Sequence, residues 1–202
     1  MKRTLIRNCH GGAGAEFAMV LPLLLLLLFG IIDGGRLLWE VNRAEKATQA
    51  GVRFAVVANP LAGGLATADY LGVDGLTQGD IIPASEMGTV TCNQTACCNP
   101  SSSCTAPFPD VGTFDSDVFD AIYTRMHAMD PAIQKQNILV SYAGSGLGFA
   151  GDPNGPQISP IVTVELTGLK FQPITTLLFA TFDLPDFRAS LTAEDLSGTQ
   201  SN

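Results

Sequence analysis

The sequence predicts an α+β protein: one long N-terminal transmembrane helix continues into a stem and is followed by a small antiparallel sheet with one further helix. Three observations predict it. Residues 17–32 (FAMVLPLLLLLLFGII) form a sixteen-residue run without a charge. Phe114, Val118, Phe119, Ile122, Tyr123 and Met126 recur at helical spacing, and residues 137–143, 158–168 and 187–192 carry strand patterns. With 202 residues, 46% of them hydrophobic and 15% charged, the chain has the composition of a folded domain and not of a disordered one. A formal charge of −8 without any cluster of Lys and Arg excludes a nucleic-acid partner, because a phosphate backbone is bound by clustered bases that displace its counterions.

Each element follows from local physics. At about 1.5 Å per residue the apolar run covers roughly 24 Å, a little short of the ~30 Å hydrocarbon core. The uncharged Gly12 to Ala15 on one side, and Arg36 and Trp39 on the other, complete the span by small size, snorkelling and interfacial preference. Lys2, Arg3 and Arg7 precede the run and no acid comes before Glu16, so the positive-inside bias puts the N-terminus in the cytoplasm. The charge division agrees: residues 1–58 carry a net +3 and residues 59–202 a net −11. A cleaved secretory signal is the weaker alternative, since Ile31-Ile32-Asp33-Gly34-Gly35-Arg36 offers no A-x-A-like site. These considerations divide the chain into a cytoplasmic leader (1–11), a membrane helix (12–35), a helical stem (36–58) and an exported domain (59–202).

In the stem, Leu37, Val41, Ala44, Thr48, Gly51, Val52 and Ala55 form a stripe of mostly small residues, and Asn59-Pro60 stops the helix because the residue before proline leaves the α region. Residues 61–113 read as loops, with one strand near 88–92. Inside them, in the 92–104 loop, Cys92, Cys97, Cys98 and Cys104 give an even number of thiols in the exported part. They read as disulfides of undetermined connectivity, because C-x4-C-C-x5-C lacks the C-x2-C knuckles of zinc sites. Asp115, Ser116 and Asp117 are candidate caps of the second helix; with Asp120 they lack the Gly-and-Glu continuation of a calcium loop, and that helix ends near Asp130-Pro131. Gly144 to Gly148 lacks the lysine of a phosphate loop and reads as a hairpin connection, and residues 171–184 read as a core-covering segment too short to be a second span.

Glu16 is the most informative residue. A carboxylate at the start of a membrane helix is costly unless something compensates it, so a partner is expected. The block His10-Gly11-Gly12-Ala13-Gly14-Ala15-Glu16-Phe17, a basic leader followed by Gly-x-x-x-x-Glu-aromatic and a Leu-rich run, resembles the processing signal of type IV pilins and pseudopilins. Residues 16–22 and 28–38 extend the match to the TadE-like family, minor pseudopilins of the tight-adherence (Tad, Flp-type) pilus system. The resemblance implies a pilin-like architecture in the bacterial inner membrane, with the C-terminal domain on the extracytoplasmic side. It also implies cleavage by a prepilin peptidase between Gly11 and Gly12, with Glu16 at mature position five. The new amine and the Glu16 carboxylate of a neighbouring subunit would then neutralise each other and set axial register. The implied partners are the peptidase, the lipid bilayer, other Tad pseudopilins or pilins and the assembly machinery. The implied role is biogenesis of pili for adhesion and biofilm formation.

No enzymatic activity, cofactor or metal is expected. His10 and His127 are the sole histidines, His10 belongs to the leader, and His127 lacks the partners of a catalytic constellation. Two other classes compete with the pilin-like one. An uncleaved, signal-anchored cell-envelope binding module would keep the leader and tolerate loss of Glu16, whereas a secreted hydrolase would shed the whole apolar run.

Overall fold

The structure, a computed structural model, describes residues 12–98, 104, 111–153, 155–175, 180–193 and 196. In chain order these form α1 (Gly12–Ala55), α2 (Gly64–Thr67), α3 (Ala84–Met87), β1 (Thr89–Cys92), α4 (Ser116–Met129), β2 (Ile138–Ala143), β3 (Ile161–Leu166), β4 (Lys170–Phe171), β5 (Phe182–Asp183) and β6 (Phe187–Thr192). This is the expected α+β arrangement of a long apolar helix, a small antiparallel sheet and a further helix. The expected leader, residues 1–11, lies outside the described residues. The chain falls into two units, one of Met1–Glu40 with Lys170–Phe182 and one of Val41–Leu169 with Asp183–Asn202.

The first unit is built on the N-terminal part of α1, whose 44 residues rise by about 66 Å at 1.5 Å per residue. Pro22 lies inside the helix, a position membrane helices tolerate better than soluble ones. The same unit holds β4, a turn at residues 174–175 and the first residue of β5, with the rings of Phe171 and Phe182 5.2 Å apart. Sequence patterning misses β4 and β5, because a two-residue strand has no period to detect.

The second unit contains a four-stranded antiparallel sheet in the order β1-β2-β3-β6. Alternation decides which face is covered. Ile138, Val140 and Tyr142 of β2 and Val162, Val164 and Leu166 of β3 are buried, while Leu139, Ser141, Thr163 and Glu165 lie on the opposite, more open face. That open face is tied across strands by a Thr163–Ser190 hydroxyl contact of 2.8 Å and an Arg188–Glu165 ion pair of 2.7 Å, both between residues in register. The covered face carries the stem of α1 and the apolar side of α4. Gly51 marks where they meet, since a methyl group there would fall 2.7 Å from Met126 Sδ and 3.4 Å from Val164 Cγ1. Ala44, Ala47, Thr48, Val52, Phe54 and Ala55 are buried, close to the predicted stripe, and small residues allow this approach. Arg125 of α4 stacks over the Phe54 ring at 4.2 Å.

The helix boundaries are set chemically. The Asp115 carboxylate accepts the N–H groups of Asp117 and Val118 and so caps α4, one of the predicted caps. α1 ends at Ala55, short of the expected 58, because Val57 and Ala58 both turn back to the Phe54 carbonyl before Pro60 is reached. β3 is shorter than expected at both ends: Pro160 has no N–H to give the ladder, and Gly168 adopts φ +69°. Residues 61–113, read as loops, also contain the single turns α2 and α3.

Two buried tyrosines give contrasting expectations. The Tyr142 hydroxyl accepts the Leu61 N–H at 3.0 Å, and burial pushes its pKa well above the ordinary phenol value. The Tyr70 hydroxyl is buried without a partner among the described residues, and burial, helped by Glu86, pushes it up to about 12. Tyr142→Phe therefore orphans a buried N–H and is expected to cost about 1–3 kcal/mol, while Tyr70→Phe removes an unsatisfied group and is expected to be neutral or stabilising by about 1 kcal/mol. Denaturant unfolding of the two variants in detergent checks the sign of the difference.

Candidate functional site

Of the predicted processing residues, Gly11 lies outside the described residues. Gly12 is the first described residue of α1, with open space around the position a Cβ would take. Glu16 and Phe17 follow on the same helix, both exposed, and Glu16 makes no ion pair among the described residues. Downstream, the side chains of Leu23 to Leu28 are exposed as well. A helix whose apolar surface faces outward along its most hydrophobic stretch is not a core helix. With a mean hydropathy of 2.5 over its best window, α1 is long and apolar enough to cross a membrane, consistent with a single-pass membrane protein.

The most developed polar site on this helix is one the sequence did not single out. Asp33, directly after the apolar run, is 7% exposed. One carboxylate oxygen accepts the Ile174 N–H at 2.7 Å, and the other accepts the Thr175 N–H at 3.1 Å and its hydroxyl at 2.8 Å. Arg36, one turn on, completes the group. Its guanidinium lies 3.3 Å from Asp33, donates to the Gln172 carbonyl at 3.4 Å, and sits 5.5 Å from the centre of the Phe171 ring. Its other amino group is 3.8 Å from Glu40. The acid is thus satisfied on every side by one short backbone turn, as a charge near hydrocarbon requires. The sequence carried one usable signal, an acid ending a membrane helix with a single basic neighbour at i+3. Its acceptor capacity exceeds what Arg36 can fill.

The four cysteines form two disulfides, Cys92–Cys97 and Cys98–Cys104, which resolves the connectivity the spacing left open. Asn93 shapes the smaller ring: its side-chain oxygen accepts the N–H groups of Thr95 and Ala96 and the Thr95 hydroxyl. Cys97 then lies antiparallel to Cys92, and the Cys98 N–H reaches back to the Thr91 carbonyl at 2.9 Å. Three further acids of the second unit make local contacts. Asp120 pairs with Lys135 at 2.6 Å. Asp80 accepts the Thr77 hydroxyl and N–H, and Asp69 accepts the Leu71 N–H and the Gln157 amide; these bonds hold both carboxyls below their usual pKa. His127 is half-buried, with Nδ1 3.0 Å from the Ile133 carbonyl oxygen and 3.4 Å from the Tyr123 hydroxyl, so it bridges the end of α4 to the following turn. Arg43 of the stem binds Asp130 at 2.8 Å and closes the same corner.

No curated protein and no solved structure matches the chain. Residues 11–53, which take in Gly12, Glu16, the apolar run, Asp33 and most of the stem, match the family described as TadE-like protein, so the similarity of this chain to that family lies in α1.

Proposed function

We propose that the protein is a minor pseudopilin of a Tad/Flp-type pilus, serving pilus biogenesis and through it adhesion and biofilm formation. It is inserted in a bacterial inner membrane with its N-terminus in the cytoplasm and its C-terminal domain outside it. A prepilin peptidase removes residues 1–11, and the amine of Gly12 then meets the Glu16 carboxylate of a neighbouring subunit within the helix bundle. The role is structural and not enzymatic. α1 packs side by side with the helices of other Tad pseudopilins or pilins, and the exported domain meets the assembly machinery.

The observation that carries the proposal is α1 itself: a continuous helix, TadE-like in sequence over residues 11–53, that holds Glu16 exposed and turns its apolar side chains outward. Outward apolar side chains suit lipid or sister helices, and an exposed acid among them suits an intermolecular counter-charge.

The test is processing. Co-expressed with a cognate prepilin peptidase, the chain is expected to lose eleven residues and to begin at Gly12 by mass spectrometry, while Gly11→Leu blocks the cut by crowding the scissile bond with a side chain. A size indifferent to the peptidase, or a Gly11→Leu chain processed normally, favours instead the uncleaved, signal-anchored binding module.

A further inference from the structure

The apolar run of α1 ends at Ile32, yet the helix keeps exposing large side chains beyond it, Leu38 at 65% and Trp39 at 63%. Trp settles at the headgroup level, and Trp39 lies about 9 Å further along the helix than Asp33 at 1.5 Å per residue. The run alone also falls short of the hydrocarbon thickness by roughly four residues. Both facts put Asp33 at the boundary between acyl chains and headgroups, below the Trp39 ring. The turn that satisfies Asp33 therefore sits at that depth too, and it belongs to the far end of the sequence.

This segment is built for such a place. No charged residue occurs between Lys170 and Asp183. The Gln172 carbonyl accepts from Arg36, and Thr175 gives both its N–H and its hydroxyl to Asp33. Phe171 is buried beneath Arg36, while Ile174 is 53% exposed and Phe182 44%. The Thr175 side of the turn thus faces the helix, while Ile174 and Phe182 face out, as do Ile31 and Ile32 of α1.

We propose that residues 171–175 and 180–182 make a second, interfacial contact with the bilayer: clasped to α1 by Asp33, they lay Ile174 and Phe182 into the leaflet from which the helix emerges. This rests on reading α1 as the membrane span. Lipid is the occupant because the exposed surface is continuous with that of the span and lies at its depth. A protein partner would have to displace lipid from both. The contact fixes the rotation of α1 about its own axis, since only one face of the helix carries Asp33, so the face left for neighbouring helices is set as well.

The test uses the full chain with Cys9→Ser and its disulfides intact, reconstituted in phosphatidylcholine vesicles. An environment-sensitive fluorophore is attached at Ile174→Cys or Phe182→Cys, with Leu27→Cys as a mid-span reference and Phe149→Cys as an exposed reference in the second unit. Labels at 174 and 182 are expected to be quenched severalfold more by lipids nitroxide-labelled near the headgroup than the label at 149, and severalfold less by aqueous iodide. Asp33→Leu is expected to return the label at 174 to iodide while leaving that at 27 unchanged. Labels at 174 and 182 as open to iodide as that at 149, or shielded from both quenchers by a protein neighbour, would overturn the contact. An unchanged depth in Asp33→Leu overturns the clasp. A label at 27 that lipid does not reach overturns the span itself, a failure distinguishable from the others.

Discussion

Gly148→Ala is expected to destabilise the second unit by about 3–5 kcal/mol, the sum of two separate penalties at one position. Gly148 has φ +132°, a backbone region that L side chains avoid, which costs about 1–3 kcal/mol. An added methyl would also run into the Gln157 carbonyl oxygen and come within 2.9 Å of the Ile158 Cα. Those are backbone atoms that cannot rotate away. Gly148 pairs with Ile158 across the β2–β3 connection and accepts the Ile82 N–H at 3.1 Å, so the clash cannot be relieved without opening that crossing. Thermal unfolding of the full chain in micelles, followed by near-ultraviolet circular dichroism, should show a midpoint lower by roughly 10 °C. A shift of a degree or two would mean that the connection is not packed as described.

The second large effect is expected at the corner between the stem and α4. Arg43→Met should cost about 2–3 kcal/mol, below the 3–5 kcal/mol typical of a fully buried broken pair because the Arg43 side chain remains 27% exposed. The Asp130 side chain is 6% exposed, and without Arg43 its carboxylate keeps only the Ala132 N–H at 3.1 Å as a side-chain partner besides what solvent supplies. Adding Asp130→Leu to Arg43→Met removes the stranded charge and should recover most of the loss. A double-mutant cycle on unfolding midpoints reads that coupling, and additive costs would show that the pair contributes nothing specific.

What could be read in advance was what is written locally. The span announces itself as an unbroken uncharged run, α4 and the three longer strands because apolar residues recur every 3.6 or every two positions, and Asp115 announces the start of α4 because a cap sits beside what it caps. The interactions that hold the chain together across distance were not legible. Asp33 meets Thr175 at a separation of 142 residues, and Arg43 meets Asp130 at 87. Nothing in the neighbourhood of either partner encodes the other. The four cysteines were legible as a group and not as pairs, because spacing bounds which bonds can close without choosing among them. For the site, Glu16 and Gly12 were visible as a motif, whereas Asp33 looked like an ordinary flanking acid until its hydrogen bonds were traced.

The two stapled rings also close one margin of the sheet. β1 is an outer strand of its sheet, paired with β2 on one side, and residues 97–98 fold back along its other side, where Cys98 donates to Thr91. The bonds from Cys92 and Cys98 pin that return, so an outer margin that would otherwise recruit strands from other chains is already occupied. Closing the thiols therefore masks a strand edge with the chain's own residues.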